Sequence, residues 1–134
     1  MKTKTNIAAD FSIIIPAYNE QNYIGAVLDR LSNAIAEIKN LTGEVIVVDN
    51  NCSDQTAILA KEKGARVVFE PINQISRARN AGACVARGKY LFFVDADTQI
   101  SNELLLFSLQ RLEGGGCGGG GSTVVFDSNQ NQFF

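Results

Sequence analysis

The chain of 134 residues contains no histidine. A Ser-His-Asp type of catalytic triad is therefore excluded, and zinc, which favours histidine and cysteine ligands, has little to hold it. Cysteine is scarce: Cys52, Cys84 and Cys117 are odd in number and far apart. They are read as reduced thiols of a cytoplasmic protein, filling small spaces. Neither sign of charge dominates. Twelve basic residues stand against 14 acidic ones, for a net charge of −2, which argues against a broad nucleic-acid-binding face. No apolar run is long enough to span a bilayer, and the basic start Met1-Lys2-Thr3-Lys4-Thr5 is not followed by the apolar segment of a signal peptide. What is present is 46% apolar residues, enough for one globular domain with a modest core.

Those apolar residues fall into alternating strand and helix patterns. Phe11–Ile15 reads as a buried strand stopped by Pro16. A helix is expected from about Glu20 to Asn40, capped by Asn19, with Val27, Leu28, Leu31, Ile35 and Ile38 on its core face and Gly43 just beyond its end. Val45–Val48 is a second buried strand. A helix capped by Ser53 or Asp54 follows, and Gly64 stops it. Arg66–Phe69 is a third strand, and Ser76 is the expected cap of a third helix that ends at Gly88. Lys89–Val94 is the fourth strand, and Ser101 opens a fourth helix running to about Leu112. The Leu104-Leu105-Leu106-Phe107 run makes that helix apolar on more than one side, which predicts packing between layers. Repeated strand–helix units predict an α/β fold, a doubly wound and mostly parallel sheet with helices on both faces.

In such sheets ligands bind beyond the carboxyl ends of the strands. Pro16-Ala17-Tyr18-Asn19-Glu20 follows the first strand, Asp49-Asn50-Asn51 the second and Asp95-Ala96-Asp97 the fourth. Residues i and i+2 of a strand leave the same face, so the strand pattern sends the Asp95 and Asp97 carboxylates one way and Ala96 the other. Two converging carboxylates suit a divalent cation, Mg²⁺ or Mn²⁺, with phosphate oxygens completing its shell. Alone, Asp-x-Asp is more often a solvated turn. Asp49 has an equally plain reading as an Asx-turn, and Arg79 as a solvated helical arginine.

Four segments in order resemble the family 2 glycosyltransferases, inverting enzymes of GT-A fold. They are Ser12-Ile13-Ile14-Ile15-Pro16-Ala17-Tyr18-Asn19-Glu20; Val45-Ile46-Val47-Val48-Asp49-Asn50-Asn51-Cys52-Ser53-Asp54-Gln55-Thr56; Ala78-Arg79-Asn80-Ala81-Gly82; and Gly88-Lys89-Tyr90-Leu91-Phe92-Phe93-Val94-Asp95-Ala96-Asp97-Thr98. The resemblance implies a Rossmann-like, nucleotide-sugar-binding half. Pro16, Ala17, Tyr18 and Glu20 would frame the base and ribose, and Asp49 would accept from the base. Arg79, with Arg77, would face the diphosphate or order the base pocket. Asp97 would contact the metal, and Asp95 the metal or the ribose, with Ala96 between them in the same subsite. The implied partners are a nucleotide-sugar donor and an acceptor, lipid-linked or a polysaccharide. A lipid-linked acceptor would bring the protein to the inner face of the membrane without a spanning helix.

The chain departs from the pattern at Asn50, where the family often has a second acidic residue. No segment matches the family's acceptor half. Glu113 and Asp127 are the only acidic residues after Glu103, and neither sits in an acceptor motif, so no catalytic base is assigned. The glycine run Gly114–Gly121 is read as a tight passage into a strand at Thr123–Phe126, with a flexible linker as the alternative. With Phe133-Phe134 at its end, the sequence is expected to be a single domain, residues 1–134, whose acceptor half is missing after about residue 127. A catalytically incomplete remnant is the first alternative. A nucleotidyltransferase ranks lower, because no Gly-rich, Arg/Lys-bearing phosphate loop follows the first strand.

Overall fold

The computed structural model of the chain describes residues 9–98, 100–114, 123–125 and 131–133. Expectations placed on Cys117, residues 115–122, Phe126, Asp127 and Phe134 lie outside the described residues. The chain divides into two compact units, one reaching to residue 99 and one beginning at residue 100.

The first unit runs β1 (Ala9–Ala17), α1 (Ile24–Ala36), β2 (Gly43–Asp49), α2 (Thr56–Glu62), β3 (Arg66–Phe69), α3 (Ile75–Val85) and β4 (Gly88–Phe93). The strands form one parallel sheet in the order β3-β2-β1-β4. The order reverses between β1 and β4, which makes that junction the switch point of the sheet. Ile14, Ile46 and Val48 pack with Ala78 of α3. The alternate residues Phe11, Ile13, Ile15 and Val47 are fully buried and face the other side of the pleat. α3 approaches closely at Gly82, where a Cβ would lie 2.4 Å from Ile14 Cγ2. α1 and α2 lie side by side, joined at the surface by Lys63 and Asp29 at 2.9 Å.

Several element ends differ from the sequence expectation, each for a local reason. Pro16 does not stop β1; it pairs with Val48. Even-numbered residues of β1 bond toward β4, as Val94 N does to Ile14 O at 3.0 Å. The β1–β4 register ends at Ile14–Phe93, so the N–H that proline lacks would have no ladder partner there. Asn19 does not cap α1. It is held at φ 53°, its side-chain oxygen accepts instead from Ser53 N at 2.8 Å, and the helix starts at Ile24 with no side-chain cap. Gly43 lies inside β2, where a Cβ would fall 2.3 Å from the Phe11 ring. Neither Ser53 nor Asp54 is the cap residue of α2, which is Gln55 without a side-chain cap bond, though Asp54 accepts from Thr56 N at 3.0 Å. Ser76 falls within α3 rather than before it, as Gln74 is the cap residue. β4 is not buried on both faces: Leu91 and Phe93 are each 40% exposed.

At the amino-terminal rim a carboxylate ties the strands together. Glu44 Oε2 accepts from Ser12 Oγ and from Arg87 N, both at 2.6 Å, and Oε1 from Arg66 Nη1 at 3.1 Å. Ser12 Oγ in turn accepts from Gly88 N at 2.8 Å.

The second unit contains α4 (Asn102–Glu113) and a short antiparallel pair, β5 (Thr123–Val125) and β6 (Asn131–Phe133). Ser101 caps α4 as expected, accepting from Leu104 N at 3.0 Å. Burial in α4 is confined to Leu105 and Leu109, while Leu106 and Phe107 are exposed. The helix is therefore covered along one stripe and not on two sides.

Candidate functional site

The carboxyl ends of the four parallel strands share one rim, and a cleft of about 430 Å³ opens there. That volume lies in the range of small-ligand sites. Pro16, Ala17, Tyr18 and Glu20 line it from the end of β1, Asn50 from β2, Asn73, Gln74 and Ile75 from the β3–α3 connection, and Asp95, Ala96 and Asp97 from beyond β4.

Two of the contributing loops are fastened to each other. Glu20 N donates to Thr56 Oγ1 at 2.9 Å, and Thr56 is fully buried. Gln21 N donates to Asp54 Oδ2 at 3.3 Å and Gln55 N to Gln21 Oε1 at 3.2 Å. The Cys52 thiol donates to Ala17 O and its sulfur accepts from Asn19 N, each at 3.3 Å. Burial is the main reason the Cys52 thiol is pushed up from its usual pKa; in this state it is a packing group rather than a nucleophile. The left-handed backbone at Asn19 and Asn51 is the conformation asparagine tolerates best among residues with a side chain. It allows these loops to turn back so sharply.

Asp95 and Asp97 face the same cleft, though not because they occupy a strand. β4 ends at Phe93, and the two aspartates belong to a turn in which Thr98 N donates to Asp95 O at 3.0 Å. The Thr98 hydroxyl beside them is buried, without a hydrogen-bond partner among the described residues. Glu20 feels the resulting field. Its carboxyl is pushed above the ordinary range, first by burial and then by the negative charges of Asp97, Asp54 and Asp95. Among the described residues no three cysteine or acidic side chains converge as a closed metal-ligand cluster. The chemistry of the donor set nevertheless fits a magnesium- or manganese-like ion held by two carboxylates, with the rest of its shell drawn from a ligand.

Seven of the anticipated side chains thus line one cleft, and three do not. Asp49 Oδ1 accepts from Cys52 N at 2.8 Å, closing the turn after β2. Arg77 pairs with Glu70 across 3.5 Å at a half-exposed position. The Arg79 guanidinium sits 6.0 Å from the centre of the Phe93 ring. Sequence reasoning passed over Asn73, Gln74 and Ile75. The available signal was that the third strand ends on the same rim, so the polar connection after Phe69 had to border the site as well. No helix among the described residues is long and apolar enough to cross a membrane.

A family model described as "Glycosyl transferase family 2" matches residues 12–132. An uncharacterized glycosyltransferase of Rickettsia bellii is 35% identical over 75 residues, which is 56% of this chain and 26% of that protein. Staphylococcus aureus TarS residues 1–349, solved in complex with UDP, is 30% identical with a TM-score of 0.67, over 78% of this chain and 32% of that one. Glucosyl-3-phosphoglycerate synthase of Mycobacterium tuberculosis, solved with Mn²⁺, UDP and phosphoglyceric acid, is 25% identical with a TM-score of 0.64, over 81% and 40% of the two chains. The chain therefore spans between about a quarter and two fifths of the length of these relatives.

Proposed function

The chain belongs to glycosyl transferase family 2, and from that premise we propose that it binds a nucleoside diphosphate sugar in the rim cleft, with a divalent cation, for transfer of the sugar with inversion. The observation that carries this reading is the convergence of Glu20, Asp95 and Asp97 on one cleft with a raised Glu20 carboxyl. Carboxylates that share one cleft, with no cationic side chain among its described lining residues, favour a bound cation. Asp97 and Asp95 would hold it, and when bound it offsets the charge that develops on a departing diphosphate. Pro16, Ala17, Tyr18 and Glu20 would frame the nucleoside. Asp49, Arg77 and Arg79 belong to the base and diphosphate in the same reading. Their present partners, Cys52 N, Glu70 and the Phe93 ring, would then be shared or displaced on binding. UDP is the first nucleotide to try, since the TarS and synthase structures contain it.

Isothermal titration of the chain with UDP, GDP and dTDP, each with and without Mn²⁺, tests the proposal. Mn²⁺-dependent binding of at least one is expected, and Asp97→Asn should abolish the Mn²⁺ dependence while leaving the fold intact. Binding of none, or an unaltered Mn²⁺ requirement in Asp97→Asn, refutes it. The share of the relatives that this chain spans favours a second reading, a nucleotide-binding unit that does not complete transfer alone. UDP binding without release of sugar from UDP-sugars onto any acceptor separates the two.

A further inference from the structure

Resting on the reading of this rim as a nucleotide cleft, we infer that Asn50 is a positioning residue whose side-chain amide clamps the β3–α3 connection into a wall of the cleft. Asn50 is 6% exposed and stands where β2 gives way to its loop. Both hydrogens of its amide are used: Nδ2 donates to Glu70 O at 3.0 Å and to Ile72 O at 2.7 Å. Two carbonyl acceptors fix which end of the amide is nitrogen. Its backbone oxygen accepts from Asn73 Nδ2, and its backbone nitrogen donates to Ala17 O at 2.9 Å. One residue therefore ties the connection, at three points, to the strand that carries Pro16 and Ala17.

Nothing apolar does this in its place. Residues 71–77 are all exposed, so burial does not set where the connection lies. Yet Asn73, Gln74 and Ile75 line the cleft. Glu70 N also donates to Asp49 O at 2.9 Å, where the β2–β3 ladder ends; the bonds beyond it, Ile72 N to Glu70 Oε2 at 3.0 Å and Gln74 N to Ile72 O at 2.9 Å, are internal to the segment. They give it a shape without giving it a place. Asn50 supplies the place, and a side chain with fewer donors holds the segment less firmly. A carboxylate of the same size would present oxygen to two carbonyl oxygens and push the wall outward.

The test compares the wild-type chain with Asn50→Asp, Asn50→Ala and Asn73→Ala. UDP affinity is measured with Mn²⁺ at pH 7.5 and pH 5, together with amide exchange of residues 70–75. Asn50→Asp should bind UDP at least tenfold more weakly at pH 7.5. It should recover at least threefold of that deficit at pH 5, where a protonated carboxyl can again donate to one carbonyl. Asn50→Ala should be weak at both pH values, and Asn73→Ala, at an exposed position, should lose a few fold. Amides of Ile72 and Gln74 should exchange faster in all three variants. The nearby charged groups Glu20, Asp49, Glu70 with its partner Arg77, Asp95 and Asp97 are common to all four proteins, so affinities are read as ratios to wild type at each pH. Wild-type affinity in Asn50→Asp at pH 7.5, or equal deficits in the Asp and Ala variants at both pH values, overturns the clamp. If the wild-type chain binds no UDP, the nucleotide reading has failed. The clamp is then judged on exchange alone, and unchanged protection of residues 70–75 in Asn50→Asp and Asn73→Ala overturns it.

Discussion

Removing Glu44 should destabilise the sheet more than any other single carboxylate change in the described residues. Its oxygens accept from Ser12 Oγ and Arg87 N at 2.6 Å and from Arg66 Nη1 at 3.1 Å, and its side chain is only 18% exposed. Two of these bonds, from a buried hydroxyl and a backbone N–H to a carboxylate, contribute roughly 1.5 kcal/mol each at the low end for charged acceptors. The Arg66 pair, a third exposed on the arginine side, adds at most about 1 kcal/mol. Glu44→Ala should therefore cost about 3–4 kcal/mol, less if water reaches Arg87 N. With a slope of roughly 1.5 kcal/mol per molar urea, the midpoint falls by about 2 M. Glu44→Gln keeps an acceptor for Ser12 and Arg87 but loses the charge, and should cost about 1–2 kcal/mol. Burial alone would raise the Glu44 carboxyl. The bonds from Ser12, Arg87 N and Arg66 outweigh it, and the net shift is downward. The unfolded chain thus binds the proton more readily than the folded one. The stabilisation is present above the ordinary carboxylate range and is lost as pH falls through the lowered value. Urea curves of wild type, Glu44→Ala and Glu44→Gln, followed by far-ultraviolet circular dichroism from pH 7 to pH 3, should show the wild-type advantage over Glu44→Gln shrinking on acidification. An advantage that stays constant over that range, or a Glu44→Ala cost under about 0.5 kcal/mol, refutes the reasoning.

Glu20→Gln should act in the opposite sense. The Glu20 carboxyl is raised by burial and by Asp97, Asp54 and Asp95, so its stabilising contribution is greatest below the ordinary carboxylate range and falls as pH rises through the raised value. Metal-free Glu20→Gln should then be more stable than wild type at pH 7, by less than about 1 kcal/mol; a lower urea midpoint than wild type contradicts this. Gly82→Ala inserts a Cβ 2.4 Å from Ile14 Cγ2 and 3.0 Å from Val48 Cγ2. Overpacking of roughly 2–3 kcal/mol should exceed the helix-propensity gain of about 1 kcal/mol. Ile14→Ala in the same chain should show a favourable coupling in a double-mutant cycle, and additivity would rule out the contact. Thr56→Val removes the acceptor for Glu20 N and should cost about 1–2 kcal/mol while Thr56→Ser stays near wild type; equal losses in both would assign the effect to packing.

The sheet was legible because its strands are continuous apolar runs and its helices amphipathic. The strand order, and with it the switch point between β1 and β4, was not legible there. Less legible were the places where a polar side chain serves a neighbouring loop instead of its own helix. Asn19 has the identity of a helix cap, but the competing bond from Ser53 N comes from a residue 34 positions away, which no local pattern contains. Gly43 has the identity of a helix stop, but its hydrogen makes room for Phe11, again a distant partner. Asp95 and Asp97 reach the cleft by a geometry other than the expected one: they lie in a turn beyond β4, not on a pleat. Asn50 looked like a departure in recognition because its identity alone was visible. Its two carbonyl partners, Glu70 and Ile72, became apparent only with the β3–α3 connection in place.

The two rims of the sheet use the same chemical group to opposite effect, and that contrast supports the proposed placing of the donor site. At the amino-terminal rim Glu44 is surrounded by donors and its carboxyl is lowered. At the carboxyl-terminal rim the Glu20 carboxyl is raised, by burial first and then by the negative charges of Asp97, Asp54 and Asp95. Asp54, two residues before Thr56, is satisfied by Thr56 and Gln21 and is lowered despite some burial, so the strain at the second rim is not shared by every acid there. It falls on Glu20, raised by burial first and then by the charges of Asp97, Asp54 and Asp95. A fold stabilised only for itself gains nothing by leaving those charges facing one another. In the proposed reading a cation shared with a bound diphosphate would relieve them, and the free energy so released would be available for binding.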